Sequence, residues 1–456
     1  MQNSQPPWRS SLALALLHPA RPAILMMPAE GGWALPSLQA ESRMGLRYTG
    51  SINELIAQYL GVRTTVLRYA DIRDAPPHLE ALGLLETHSP DWQPPPAWRW
   101  IDADAVRSLN LVQSQYQPIL AESLAELSDA PAPPEPWTRP GWFAQAEAWI
   151  IAQLDRLNRI RVAPIEQLSS WSLSCILRVR TFTGTVYMKA LPPVIKHEPM
   201  FMQTLAQQFP DHIPTPLAVD PDQGWMLLAD FGDHLRNRLD RQVWANALST
   251  FAQLQQASVG QISAFIAAGF PTRRLDAIAA HFEVFLQDPV NLSALHDDEI
   301  ESLRRLATRV PQMCAELERY GLPDTVVHSD LHPGNIARQQ ESYLFFDWTD
   351  AAITHPFLDP VVMVTEARSR LHDAGAADYV RDRYLSQWTD YASMPQLQHA
   401  WTLAERLGAL YQILIYCQLI TQLGSSATRD LAWGIPFWLR QALQFRPGHP
   451  DNPGKK

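Results

Sequence analysis

The sequence predicts a mixed α+β protein in which a β-rich segment leads into a larger, mainly helical one, with a further small α/β segment ahead of both. Three observations carry this. Alternating apolar runs at Leu173–Val179 and Thr185–Ala190 flank a Phe182-Thr183-Gly184 turn, as in a hairpin. From Trp244 onward the apolar residues recur mostly at helical spacing. Between the first and second segments stands Ala130-Pro131-Ala132-Pro133-Pro134-Glu135-Pro136, a stiff spacer in polyproline style. A length of 456 residues agrees with about three folding units.

Taken in order, residues 1 to about 125 alternate short β-like runs with one helix, Ser51–Leu60, which Ser51 or Asn53 would cap and Gly61 would stop. The apolar run Ser11–Leu17 has Arg9 ahead of it in the manner of a signal peptide. His18-Pro19 ends it early, no small-residue cleavage site follows, and Pro22–Met27 looks like a second strand. After the Pro-rich spacer a helix runs from Trp142 to about Leu157, and the hairpin follows. Glu198-Pro199 then opens a helix that reaches Phe209, with Pro in its first turn and Pro210 past its end. Trp225–Leu228 reads as a strand. Two β-like runs, Thr325–Val327 and Tyr343–Phe346, interrupt the helical part. The expected domains are 1–128, a linker at 129–141, a β-rich lobe at 142–229, a helical lobe at 230–446 and a disordered tail at 447–456.

Composition narrows the classes of function. With 46% hydrophobic and 18% charged residues the chain is not disordered as a whole. No apolar run reaches the ~18 residues of a membrane-spanning helix. Cys175, Cys314 and Cys417 are odd in number and widely spaced, which argues against a disulfide framework or a zinc site and for a reducing, cytoplasmic setting. A net charge of -10 argues against nucleic acid as a partner and leaves room for a cationic substrate. Of 37 basic residues only Lys189, Lys196, Lys455 and Lys456 are lysines, so a lysine inside an ordered segment asks for a reason. Some sites need a compact point charge where Arg presents a planar fork.

The chemistry concentrates in Val326-Val327-His328-Ser329-Asp330-Leu331-His332-Pro333-Gly334-Asn335, followed twelve residues later by Asp347 at the end of an apolar run. Phosphoryl transfer needs a carboxylate to take the acceptor's proton, oxygen ligands for magnesium and a cation on the nucleotide phosphates. Asp330 suits the first role, Asn335 and Asp347 the second, and Lys189 the third, with Glu198 able to pair with Lys189. Plainer readings stand beside these. Lys189 could be an ordinary strand lysine and Glu198 a favourable charge at a helix start. A zinc cluster at His328 and His332 lacks a third imidazole or thiolate at suitable spacing, and His328 reads as a loop-holding hydrogen-bond partner. Asp230-Phe231-Gly232 spells a kinase magnesium motif but precedes Asp330 by a hundred residues, which makes it a connector whose backbone could pair with adenine.

With these residues in hand, His328–Asn335 followed by Phe346-Asp347-Trp348 resembles the aminoglycoside phosphotransferase and choline kinase group, over roughly residues 140–445. The resemblance implies a two-lobed protein-kinase-like fold and the cofactors ATP and Mg²⁺. It makes Asp330 the catalytic base, Asn335 and Asp347 the metal ligands, and Lys189 with Glu198 the phosphate-side ion pair. By the same likeness Asp359 buttresses the catalytic loop, and Met226–Phe231, with Leu228 and Asp230, is the adenine-binding hinge. The turn over the phosphates reads Leu168-Ser169-Ser170-Trp171-Ser172-Leu173-Ser174. It departs from the group's glycine-bearing loop and leaves serine hydroxyls, Ser172 among them, and backbone N–H groups to meet phosphate.

The first segment resembles a Nudix hydrolase domain through Gly32–Pro36, Leu60-Gly61-Val62 and Trp98–Ile101. Gln58 and Tyr59 stand where that family has metal-binding glutamates, and Glu54 stands where it has arginine, which implies a degenerate domain. The expected function is an ATP- and Mg-dependent transfer of the γ-phosphate to a hydroxyl of a small molecule: an aminoglycoside, an amino alcohol or a sugar-like acceptor. A cationic acceptor is one reading. Only eleven residues separate Asp347 from Asp359, too few for the activation segment of a protein kinase. The alternatives are a pseudokinase or nucleotide-sensing scaffold, and a working Nudix hydrolase with a kinase-like appendage.

Overall fold

A computed structural model describes residues 7–89, 91–129 and 134–444. The spacer residues 130–133 and the expected tail at 447–456 lie outside the described residues. By internal contacts the chain forms two compact units, residues 1–193 with 225–228, and residues 194–224 with 229–456.

The first unit begins with a sheet that explains its apolar opening. Strand β1 (Arg9–Leu16) is followed by β2 (Ala23–Ala29), β3 (Gly32–Ala34) and β4 (Ser37–Ala40). Helix α1 (Thr49–Leu60) then leads into β5 (Thr64–Ala75), β6 (His78–Thr87) and β7 (Arg99–Asp102). One sheet has the order β4-β1-β6-β5 and another β3-β2-β7. Strand β1 lies parallel to β6, with Leu12 opposite Ala81 and Leu14 opposite Gly83. Its alternate residues feed two cores. Leu12, Leu14 and Leu16 pack with Ile52, Ile56 and Leu60 of α1, while Ala13, Ala15 and Leu17 share a cluster with Leu120 and Leu124 of the helix Gln117–Asp129. A strand covered by helices on both faces reads as a continuous apolar run, and this is the run that imitates a signal peptide.

Helix α1 starts at Thr49, two residues before the expected Ser51, with Tyr48 at its N-cap position and no side-chain cap. Neither Ser51 nor Asn53 caps it, because both lie inside the helix; the Asn53 amide reaches Gln167 instead. The helix ends as expected at Gly61, left-handed at φ 67.

Past the spacer, the helix Trp142–Arg156 precedes β8 (Glu166–Trp171), β9 (Ser174–Thr181) and β10 (Gly184–Ala190). Strands β9 and β10 form the expected hairpin, Gly184 opposite Thr181 and Lys189 opposite Ile176. Strand β11 (Ala218–Asp220) falls in the second unit, and β12 (Trp225–Ala229), all but its last residue, returns to the first beside β10. Trp142 and Trp149 meet Trp225 edge-on, with centroids 6.0 and 5.6 Å apart, and so hold the helix Trp142–Arg156 on the sheet.

The second unit is mainly helical. The helix Glu198–Gln208 carries Pro199 in its first turn and ends at Phe209, as the sequence predicts. The helices Arg241–Ser258 and Ala376–Leu385 pack against each other, and the 30-residue helix Met394–Leu423 is lined with buried side chains along much of its length. Short strands stand on this base: β13 (Asp233–His234), β14 (Thr325–Val327), β15 (Ile336–Gln339), β16 (Ser342–Phe345) and β17 (Ala352–Thr354). Strand β14 pairs with β17, and β15 with β16. Residues 328–335 are therefore the connection from β14 to β15, and Asp347 follows β16. Among the described residues no helix is long and apolar enough to cross a membrane.

Candidate active site

The β15–β16 hairpin puts Asn335 and Asp347 at its open end. Ile336 faces Phe345, and the Phe346 N–H donates to the Asn335 carbonyl at 3.1 Å. The Asn335 amide nitrogen donates to the Asp330 carbonyl at 3.0 Å and to Asp330 Oδ2 at 3.2 Å. With its NH₂ engaged, Asn335 has its Oδ1 left as the atom to offer a cation. The Asp330 side chain is 44% exposed, with His332 Nε2 at 3.6 Å. A carboxylate that is reachable from solvent, yet fixed by an amide behind it, is suited to take a proton from an incoming hydroxyl.

The loop is held from beneath by Asp359, which is fully buried. The carboxylate accepts the His328 N–H at 2.5 Å and the Ser329 N–H at 2.9 Å. Burial pushes its pKa up to about 7; the two amides pull the other way, and neighbouring Asp330 adds to the rise. His328 is buried and burial lowers its pKa to about 4, so the ring is neutral. Its Nε2 pairs with the Phe346 carbonyl at 2.8 Å and its Nδ1 accepts from the Asp330 N–H at 3.3 Å. Both ring nitrogens therefore serve the loop.

Two residues of the site, Ser329 in this loop and Asp347 after β16, adopt a backbone that L residues rarely take, both at φ 69. Such strain persists only where the surroundings over-determine it. Ser329 is gripped four ways. Besides its N–H on Asp359, its hydroxyl lies 2.8 Å from the Tyr411 hydroxyl, its carbonyl accepts from Gln412 Nε2 at 2.6 Å, and its side chain is fully buried. Asp347 is tied through Thr349, whose hydroxyl lies 3.2 Å from Asp347 Oδ1 and 2.5 Å from Glu198 Oε2. Glu198 is fully buried at the start of its helix.

Four expected residues remain. Lys189 is on β10 and only 9% exposed; Ser172 is buried in the turn between β8 and β9, and Leu228 is buried on β12, all three in the first unit. Asp230 is exposed, and its Oδ1 accepts the Gly232 N–H at 3.0 Å, a local turn. Thus Glu198, His328, Asp330, Asn335, Asp347 and Asp359 lie in one unit, linked by short hydrogen bonds. Sequence reasoning missed Thr349, Tyr411 and Gln412. Thr349 had a signal, two residues after Asp347 in the run Asp347-Trp348-Thr349-Asp350. Tyr411 and Gln412 come from a helix some eighty residues on and had none.

Several solved structures are similar over most of their own length. The GDP and kanamycin complex of APH(2")-IIia is 14% identical, covers 64% of this chain and 98% of its own, and has a TM-score of 0.47. An ethanolamine kinase of Plasmodium vivax is 10% identical, with 61% and 82% covered and a TM-score of 0.44. A choline/ethanolamine kinase family protein from Mesorhizobium loti is 15% identical, with 63% and 90% covered and a TM-score of 0.44. No curated protein matches the chain. The stretch that holds Lys189, Glu198 and the whole of the Asp330 loop, residues 177–397, is similar to the phosphotransferase enzyme family, whose model it matches.

Proposed function

We propose that the protein transfers the γ-phosphate of ATP, with Mg²⁺, to a hydroxyl of a small molecule. The observation that carries this reading is the fixed trio Asp330, Asn335 and Asp347, with the Asn335 NH₂ turned to Asp330 at 3.2 Å and Asp347 next to the residue whose N–H meets the Asn335 carbonyl. Asp330 orients the acceptor hydroxyl and takes its proton as the oxygen attacks phosphorus in line. The bond from the γ-phosphorus to the bridging oxygen breaks, and ADP departs with that oxygen.

Asp347 and Asn335 supply two hard oxygen donors. This suits Mg²⁺, which keeps several waters and shares substrate phosphates rather than requiring an all-protein cage. When bound, the ion offsets charge on the phosphate oxygens. Lys189 supplies the cation for those phosphates, with Glu198 as the acid that orients it. Leu228 and the backbone at Asp230 are proposed to meet the adenine, and the turn at Ser172 to meet the phosphates. Residues 1–128 are proposed to be a degenerate Nudix-like domain, a reading that leans on α1 ending at Gly61 and on Gln58 and Tyr59 in place of acids. Names among the similar structures, which include kanamycin, choline and ethanolamine, suggest an amine-bearing acceptor, and the net charge of -10 leans the same way.

The test is thermal unfolding with ATP, with and without Mg²⁺, for the native chain and for Asp347→Asn. Stabilisation by a bound ligand follows the logarithm of its excess over Kd, ~2.7 kcal/mol at a hundredfold excess. A magnesium-dependent rise lost in the variant supports the reading. No rise at millimolar ATP would sink it in favour of a scaffold.

A further inference from the structure

Residues 1–128 have so far been given no part in the reaction. Within the first unit, however, they grip the strand and turn that precede β9. Gln167, 4% exposed on β8, uses its side-chain amide as if it were a peptide group. Its Oε1 accepts the Val66 N–H at 2.9 Å, and its Nε2 donates to the Val66 carbonyl at 2.9 Å. Asn53 of α1 adds a third bond to the same Oε1 at 3.1 Å. Just past Gln167 the strand shifts register against β9, between Gln167 and Ser169. Gly50 sits over that irregularity, where an added Cβ would touch Leu168 Cα and the Gln167 carbonyl at 3.4 Å.

The grip continues to the tip. The Ser170 N–H donates to the Arg47 carbonyl at 3.1 Å. The Arg47 guanidinium lies over the Trp171 ring, 3.4 Å from its centroid. Trp171 in turn donates its indole N–H to Ser174 Oγ at 3.0 Å, across the two-residue turn Ser172-Leu173. Arg47, Trp171 and Ser174 thus form a chain of contacts from the front segment to the far side of the turn.

A phosphate loop rich in glycine closes by backbone freedom and loses that entropy on binding. This turn has no glycine and is tied from outside, so it needs no such ordering step. We propose that residues 47–66 are a fixed brace for the β8–β9 turn, and that Arg47 and Gln167 are positioning residues for the nucleotide phosphates. The inference rests on the phosphotransferase reading above. It gives the front segment a mechanical role that its lack of Nudix acids leaves room for.

The test uses the full chain and Mg·ATP. Arg47 is exposed, so Arg47→Ala should leave the nucleotide-free melting temperature nearly unchanged. It should speed amide exchange at residues 171–175 and weaken Mg·ATP binding roughly three- to tenfold, the scale of a lost cation–π contact. Arg47→Lys should restore part of the affinity. Gln167→Leu should act in the same direction and more strongly; if it fails to fold, Arg47→Ala still decides. Faster exchange at unchanged affinity would reduce the contacts to packing and overturn the proposal, as would unchanged exchange and affinity together. If the native chain itself binds no Mg·ATP, the phosphotransferase reading fails and takes this inference with it. If the native chain binds and Arg47→Ala binds equally well, only the brace is lost.

Discussion

Thr349 stands between Glu198 and Asp347, 2.5 Å from one carboxylate oxygen and 3.2 Å from the other, with a single hydroxyl proton to share. The shorter contact takes the proton. Thr349 therefore holds the start of the helix Glu198–Gln208 to the backbone that displays Asp347, which is itself strained at φ 69. Thr349→Val keeps the shape and removes the donor, leaving a buried carboxylate short of a bond. We expect a loss of about 1–3 kcal/mol in unfolding free energy and at least a tenfold drop in kcat. Thr349→Ser should recover most of both. Chemical denaturation and initial rates check this, and a Val variant with native kcat would remove Thr349 from the site's support.

Removing the proposed base should separate chemistry from binding. Asp330→Ala is expected to cut turnover about a thousandfold. The side chain is 44% exposed, so its loss should cost little stability, and Mg·ATP should still raise the melting temperature. Turnover within tenfold of the native chain would show that another group takes the proton.

Asp359 makes a prediction in pH. Its pKa in the folded chain is raised from 3.8 to about 7 by burial, so folding favours its protonated form. A raised folded pKa contributes stability that is full below the unfolded value and is lost as pH rises to the folded one. Between about pH 4 and pH 7 this group alone should make the chain less stable as pH increases. The neutral, buried His328 works the other way, since its lowered folded pKa makes stability fall as pH drops below 6.5 towards about 4. The difference in unfolding free energy between the native chain and Asp359→Asn cancels the histidine part. That difference should fall from pH 4 to pH 7 and level off above it. A difference flat with pH would show that Asp359 titrates normally.

Gly232 ends the misplaced motif Asp230-Phe231-Gly232, and its backbone gives it another reason to be there. It sits at φ +102, and a Cβ on it would come within 2.9 Å of the Arg338 carbonyl. The obstacle is main chain and cannot rotate away. Gly232→Ala should therefore lower the unfolding free energy by about 1–3 kcal/mol, read from the denaturant midpoint. A change below about 0.5 kcal/mol would mean that the turn relaxes freely.

How much of this was legible beforehand follows contact range. Strands β9 and β10, the helix from Glu198 and the loop from His328 to Asn335 are written locally, in alternation, in Glu198-Pro199 and in a Pro-Gly turn. The start of α1 was misread because Ser51 and Asn53 look like caps, while tertiary contact draws the Asn53 amide to Gln167, 114 residues away. The four-way grip on Ser329 was invisible for the same reason, since Tyr411 and Gln412 approach it only after the helix Met394–Leu423 has packed. The role of residues 47–66 was hidden too, because a glutamine that mimics a peptide group looks like any other glutamine in a strand.

Strand β1 has a consequence for the birth of the chain. Its parallel partner β6 begins at His78, 62 residues after β1 ends at Leu16. At roughly 5–20 residues per second, a ribosome leaves several seconds between the two. Through that interval β4 can pair along one edge of β1, but the other edge, and with it an almost unbroken row of Leu and Ala, has nothing to close it. The newborn segment is a sticky end until His78–Thr87 emerges, and slowing translation within 17–77 should raise aggregation more than slowing it anywhere beyond.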